Sequence, residues 1–84
     1  MLLHIYTLEK TLYEGEVNVT TLPAEDGEIS VLPNHATLVA SLKSGTIIAK
    51  DKNDQTKISV SGGFVQITGE RITVLASRVN PPTP

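Results

Sequence analysis

Residues 24–45 read AEDGEISVLPNHATLVASLKSG, and this stretch decides the fold class. Glu25-Asp26-Gly27 is a tight acidic turn, with Gly27 free to take positive φ. Glu28 to Leu32 then alternates, placing Ile29 and Val31 on one face. Pro33-Asn34 makes a second corner, with His35 just beyond it. Thr37 to Leu42 is apolar and partly β-branched, and Lys43-Ser44-Gly45 turns the chain once more. A period of two broken by corners every few residues predicts strands.

The flanks repeat the pattern. On the amino-terminal side, Leu3 and Ile5 alternate with His4 and Tyr6. Thr11-Leu12-Tyr13 is a short extended piece closed by Glu14-Gly15. Glu16 to Leu22 follows as a strand that Pro23 is expected to end, since proline has no N–H to donate. On the other side, residues 46–50 and 56–60 flank a polar segment and predict a hairpin. Ser61-Gly62-Gly63 predicts a sheet corner, with Gly62 and Gly63 as its turn residues and Phe64 as a core plug. Residues 64–67 and 72–75 predict a second hairpin. No stretch sustains a helical apolar period, so the fold class is all-β, a sandwich or barrel of short antiparallel strands. The domain is expected over residues 1–79. Asn80-Pro81-Pro82-Thr83-Pro84 reads as a proline-rich tail.

Composition narrows the function. The 84 residues make one domain, and the net charge is −2. The seven basic residues are scattered, which argues against nucleic acid as a partner. Tyr6, Tyr13 and Phe64 are too few aromatics for a single-strand binder. There are no cysteines, so thiolate metal sites and disulfides are unavailable. The apolar runs are far shorter than the roughly 20 residues a helical membrane span requires, so membrane association is expected only through a partner.

The candidate sites are weak as chemistry. Glu25, Asp26 and Glu28 could suggest a calcium loop or a paired-carboxylate acid/base site, but the ligand spacing does not repeat, and a solvated acidic turn is the simpler reading. His35 has no serine on a strained turn to activate, and His4 and His35 lack further metal ligands. The SGGF step lacks the G-K-[ST] ending of a phosphate cradle. No catalytic, cofactor-binding or metal site emerges, and a domain that works by contact is the expectation.

The order of DGEISVLPNHATLVASLKSG followed by SVSGGFVQITGERITVLAS resembles the N-terminal domain of the ε subunit of F-type rotary ATP synthases. The likeness includes Tyr13-Glu14-Gly15 and the Leu-Pro-Asn-His-Ala corner, and it covers nearly the whole chain. The resemblance implies a β-sandwich of about ten strands on the central stalk, packed between the γ subunit and the polar loops of the membrane c-ring. It implies a non-catalytic rotor part, without cofactor, that couples ion-driven ring rotation to ATP synthesis. It also implies a peripheral location at the cytoplasmic face of a bacterial inner membrane. Glu28 and His35, with Pro33 and Asn34, match the ring-facing positions and are expected on neighbouring loops at one end of the sandwich. Most bacterial members continue into a helical hairpin. This chain stops at Pro84, where that hairpin would begin, so inhibition by the hairpin and nucleotide binding are not expected of it. The alternative reading is an unrelated β-sandwich binding module.

Overall fold

A computed structural model describes residues 1–77, except for the side chain of His35. The expected tail lies outside the described residues. Among the described residues nine strands form: β1 (Leu2–Tyr6), β2 (Thr11–Glu16), β3 (Val19–Ala24), β4 (Gly27–Val31), β5 (His35–Leu42), β6 (Gly45–Lys50), β7 (Gln55–Val60), β8 (Gly63–Gly69) and β9 (Arg71–Ala76). The family resemblance implied about ten, whereas the alternating segments of the sequence each supply one of these nine.

The strands curl into a sandwich. One leaf runs β2-β1-β9-β8-β5, and the other is β4-β3-β6-β7. All pairings are antiparallel except β1 with β9, which runs parallel from Leu2↔Arg71 to Tyr6↔Leu75. β3 joins the leaves. Its first half pairs with β6 and its last residue with β5 at Ala24↔Leu42, while its opposite edge pairs with β4 from Thr20 to Ala24. Leu3, Ile5, Val65, Ile67, Ile72 and Val74 from one leaf meet Leu22, Val31, Ile47, Ala49 and Val60 from the other in a single core. These are the alternate positions of each strand, as a period of two requires.

Two sequence expectations are corrected. Pro23 does not end its strand. It lies buried inside β3, opposite Glu28. Its missing N–H costs nothing toward β4, because its carbonyl is turned the other way and accepts from the Lys43 N–H at 2.9 Å. Glu14-Gly15 does not close the second extended piece either. Both residues lie within β2, where Gly15 pairs with Leu3.

Thr20 is the exception in the core. It is fully buried, and its Oγ1 is the buried side-chain polar atom without a partner among the described residues. Its ladder neighbours are Val31 and Ala49, which offer no side-chain acceptor. Thr20→Val keeps the shape and removes an unsatisfied hydroxyl, which costs about 1–3 kcal/mol when buried. The expected result is a gain of about 1 kcal/mol, seen as a melting point raised by roughly 4–8 °C.

Candidate functional site

Two exposed regions stand out, and they lie on different leaves. The first is β4 with its flanking turns. Glu25 and Asp26 form the turn between β3 and β4, and Gly27 has φ 131°, as the turn reading expects. Glu28 follows at the second position of β4, exposed, with Ser30 beyond it on the same outer face. The Ser30 hydroxyl lies 3.4 Å from the Thr21 hydroxyl across the ladder. After β4, exposed Leu32, Pro33 and Asn34 make the corner, where Asn34 has φ 66°. Proline followed by a residue of positive φ is the signature of a type II turn, and asparagine tolerates that conformation.

The topology does not bring Glu28 and His35 to one end of the sandwich. Glu28 pairs with Pro23 beside the β3–β4 turn, close to where Ala24 meets Leu42. His35 opens β5 after the corner and pairs with Gly69, at the other end of both β4 and β5. The reason is geometric: three further residues of extended chain separate Glu28 from the corner, roughly 10 Å at about 3.3 Å each. The two positions therefore bracket β4 from opposite ends. They do not converge on one site.

The second region was missed in the sequence. Phe64 does not plug the core. It is 57% exposed, on the outer face of β8. Leu75 of β9 lies directly across from it, and Tyr6 of β1 lies across from Leu75. Val39 of β5, 67% exposed, sits one step along and opposite Gln66. Tyr6, Val39, Phe64 and Leu75 line a shallow depression with Gln66 and Thr73. The signal was the parity of β8: if Val65 and Ile67 face inward, Phe64 must share the outer face with Gln66 and Thr68. Tyr6 also stacks obliquely on His4, with ring centroids 4.8 Å apart.

Such an arrangement, two exposed faces of unlike character on one sandwich, defines a class by its fold: a small all-β domain. The particular family follows from comparison with known proteins. The family model of the ATP synthase delta/epsilon chain β-sandwich domain matches residues 1–82, and the chain belongs to that family. The ATP synthase epsilon chain of Desulforamulus reducens is 42% identical over 74 residues, which are 88% of this chain and 56% of that protein. That of Granulibacter bethesdensis is 41% identical over 80 residues, 94% of this chain and 59% of that protein. The chain thus spans little more than half the length of these relatives. Among solved structures, a chain of the Euglena gracilis mitochondrial ATP synthase, in its OSCP/F1/c-ring assembly, superposes with a TM-score of 0.88 at 19% identity, covering 96% of this chain and 52% of that chain. A chain from the Tetrahymena thermophila mitochondrial ATP synthase central stalk and c-ring superposes at 0.81 with 13% identity, covering 95% and 65%. At these identities the two structures establish the shared fold.

Proposed function

We propose that this chain is the rotor sandwich of an F-type ATP synthase, seated on the central stalk and coupling ion-driven ring rotation to ATP synthesis in the catalytic head. It makes and breaks no covalent bond. It is peripheral to the membrane, on the cytoplasmic face, and held there by the complex. The observation that carries this reading is the pairing of the two faces within a member of the epsilon-chain family. The apolar row Tyr6–Leu75–Phe64 suits a lasting protein contact, which buries apolar and aromatic surface, and we assign it to the γ subunit. The acidic β3–β4 turn and the side of β4 suit the polar loops of the c-ring, where a carboxylate meets basic or amide groups in charge-assisted hydrogen bonds.

Within this reading Glu28 holds one end of the ring contact, and the Pro33-Asn34-His35 corner holds the other, along one strand. Glu28→Lys tests it. The side chain is exposed, so the folding stability is expected to stay within about 0.5 kcal/mol of wild type. Recovery of the ring with the tagged chain from solubilised complex is expected to fall about tenfold, roughly 1.4 kcal/mol, with ion-driven ATP synthesis falling alongside. Undiminished recovery and synthesis would remove Glu28 from the ring contact.

A further inference from the structure

We infer that the free edge of β4 receives an extended loop of the ring partner as an added strand, held by main-chain hydrogen bonds to Glu28 and Ser30. This rests on the rotor reading above and goes beyond it, because it assigns the contact to the backbone as well as to the Glu28 carboxylate.

The backbone orientation follows from the ladder. Among the described residues β4 pairs only with β3, in an unbroken register from Thr20↔Val31 to Ala24↔Gly27. In an antiparallel pair, every second residue turns its N–H and C=O toward the partner, and the residues between turn theirs away. Pro23, opposite Glu28, has no N–H, and its carbonyl is engaged with Lys43 on the far side. Pro23↔Glu28 is therefore a pair without mutual hydrogen bonds, and so is Thr21↔Ser30 two steps on. It follows that the N–H and C=O of both Glu28 and Ser30 point out of the sheet edge.

The sandwich treats its edges unequally. β7 carries Lys57 near its centre, exposed, with Lys50 diagonal to it across the ladder. β2 is irregular where its register shifts between Ile5 and Tyr6, and it displays Glu14 and Glu16. Charged lysines and broken registers are the usual guards against strand addition. β4 has neither a lysine, nor an internal proline, nor a bulge. Its only charge is Glu28, beside Glu25 and Asp26. Three carboxylates repel a second copy of the same edge and favour an occupant with a basic residue opposite Glu28. The two residues with outward-facing backbone groups span roughly 7 Å, which three residues of extended loop cover. Strand addition of this kind draws affinity from the main chain and specificity from the side chains.

Ser30→Pro separates the two contributions. It deletes an N–H that serves no bond within the domain and leaves the β3–β4 ladder intact. Proline is admitted at such edge positions. The tagged full chain would be recovered with the assembled complex from solubilised membranes, and its melting recorded alone. Ser30→Pro is expected to lower ring recovery at least tenfold with melting unchanged, while Ser30→Ala, which removes only the hydroxyl, leaves recovery at wild-type level. Should Ser30→Pro not fold, replacing the Ser30 amide by an ester in a ligated chain removes the same N–H, and the same loss is expected. Full recovery with the Ser30 N–H removed, while Glu28→Lys loses the ring, would overturn strand addition and leave the rotor reading standing. Full recovery in both would overturn strand addition and take Glu28 out of the ring contact, and a wild-type chain that recovers no ring would overturn the rotor reading itself.

Discussion

Gly63→Ala is expected to remove most of the stability of this domain. Gly63 has φ 140°, and a β-carbon there would run into the carbonyl oxygen of Leu75 and come within 3.0 Å of the Ala76 α-carbon. Both obstacles are backbone atoms of β9, which is fixed on its other side by the parallel ladder to β1. Neither can move without parting a pair of strands in the centre of a leaf. The cost is about 3 kcal/mol or more, from steric displacement added to the strain of an L-residue at that φ. For a domain whose total stability is about 5–15 kcal/mol, that is a large share. At about 4–8 °C per kcal/mol, the melting point is expected to drop by at least about 12 °C. Gly27→Ala provides the contrast. Its φ is 131°, yet a β-carbon there meets nothing within 4 Å, so only backbone strain of about 1–2 kcal/mol applies. Equal losses in the two variants would show that the close approach to Leu75 has no energetic weight.

The second large effect is on assembly. Phe64→Asp is expected to leave folding nearly untouched, because the ring is more than half exposed and its cross-strand neighbours, Leu75 and Ser41, lie outside the core. In the proposed γ contact the same change would bury a carboxylate where an aromatic anchor belongs. Aromatic residues at the centre of an interface commonly contribute 2 kcal/mol or more. Affinity for the γ subunit is therefore expected to fall by about 100-fold, or roughly 2.7 kcal/mol. Titration calorimetry or co-purification with γ measures this directly. Retained affinity would place the γ contact elsewhere on the sandwich.

Much of this architecture was legible in the chain. The strands announced themselves through Ile29/Val31, Leu3/Ile5 and the two hairpins around residues 51–54 and 69–70, because a half-buried strand leaves period two in its sequence. What could not be read was where neighbouring strands would lie. Pro23 looked like a stop only while its ladder partners were unknown; once Lys43 is seen to meet its carbonyl, the proline fits the strand. Glu28 and His35 are seven positions apart, a spacing equally consistent with one loop cluster or with two ends of a strand. Pairing alone decides between them. Phe64 was misjudged for a different reason. Its size argued for burial, whereas the parity set by Val65 and Ile67 argued for the outside, and parity won because a strand cannot rotate one residue independently of the next.

The parallel clasp of β1 and β9 has a bearing on how the chain is made. Leu2 must wait for Arg71, so β1 gains its second neighbour only when β9 has emerged. At about 5–20 residues per second, that delay is roughly 3–14 s. During it, a nascent β1–β2 hairpin can form, but without β9 it has no ladder to β8 and the rest of its leaf. Closure then depends on contacts distant in sequence, which places folding in the slow, millisecond-to-second class of all-β chains. Translation, more than any local turn, sets the moment at which this domain can exist.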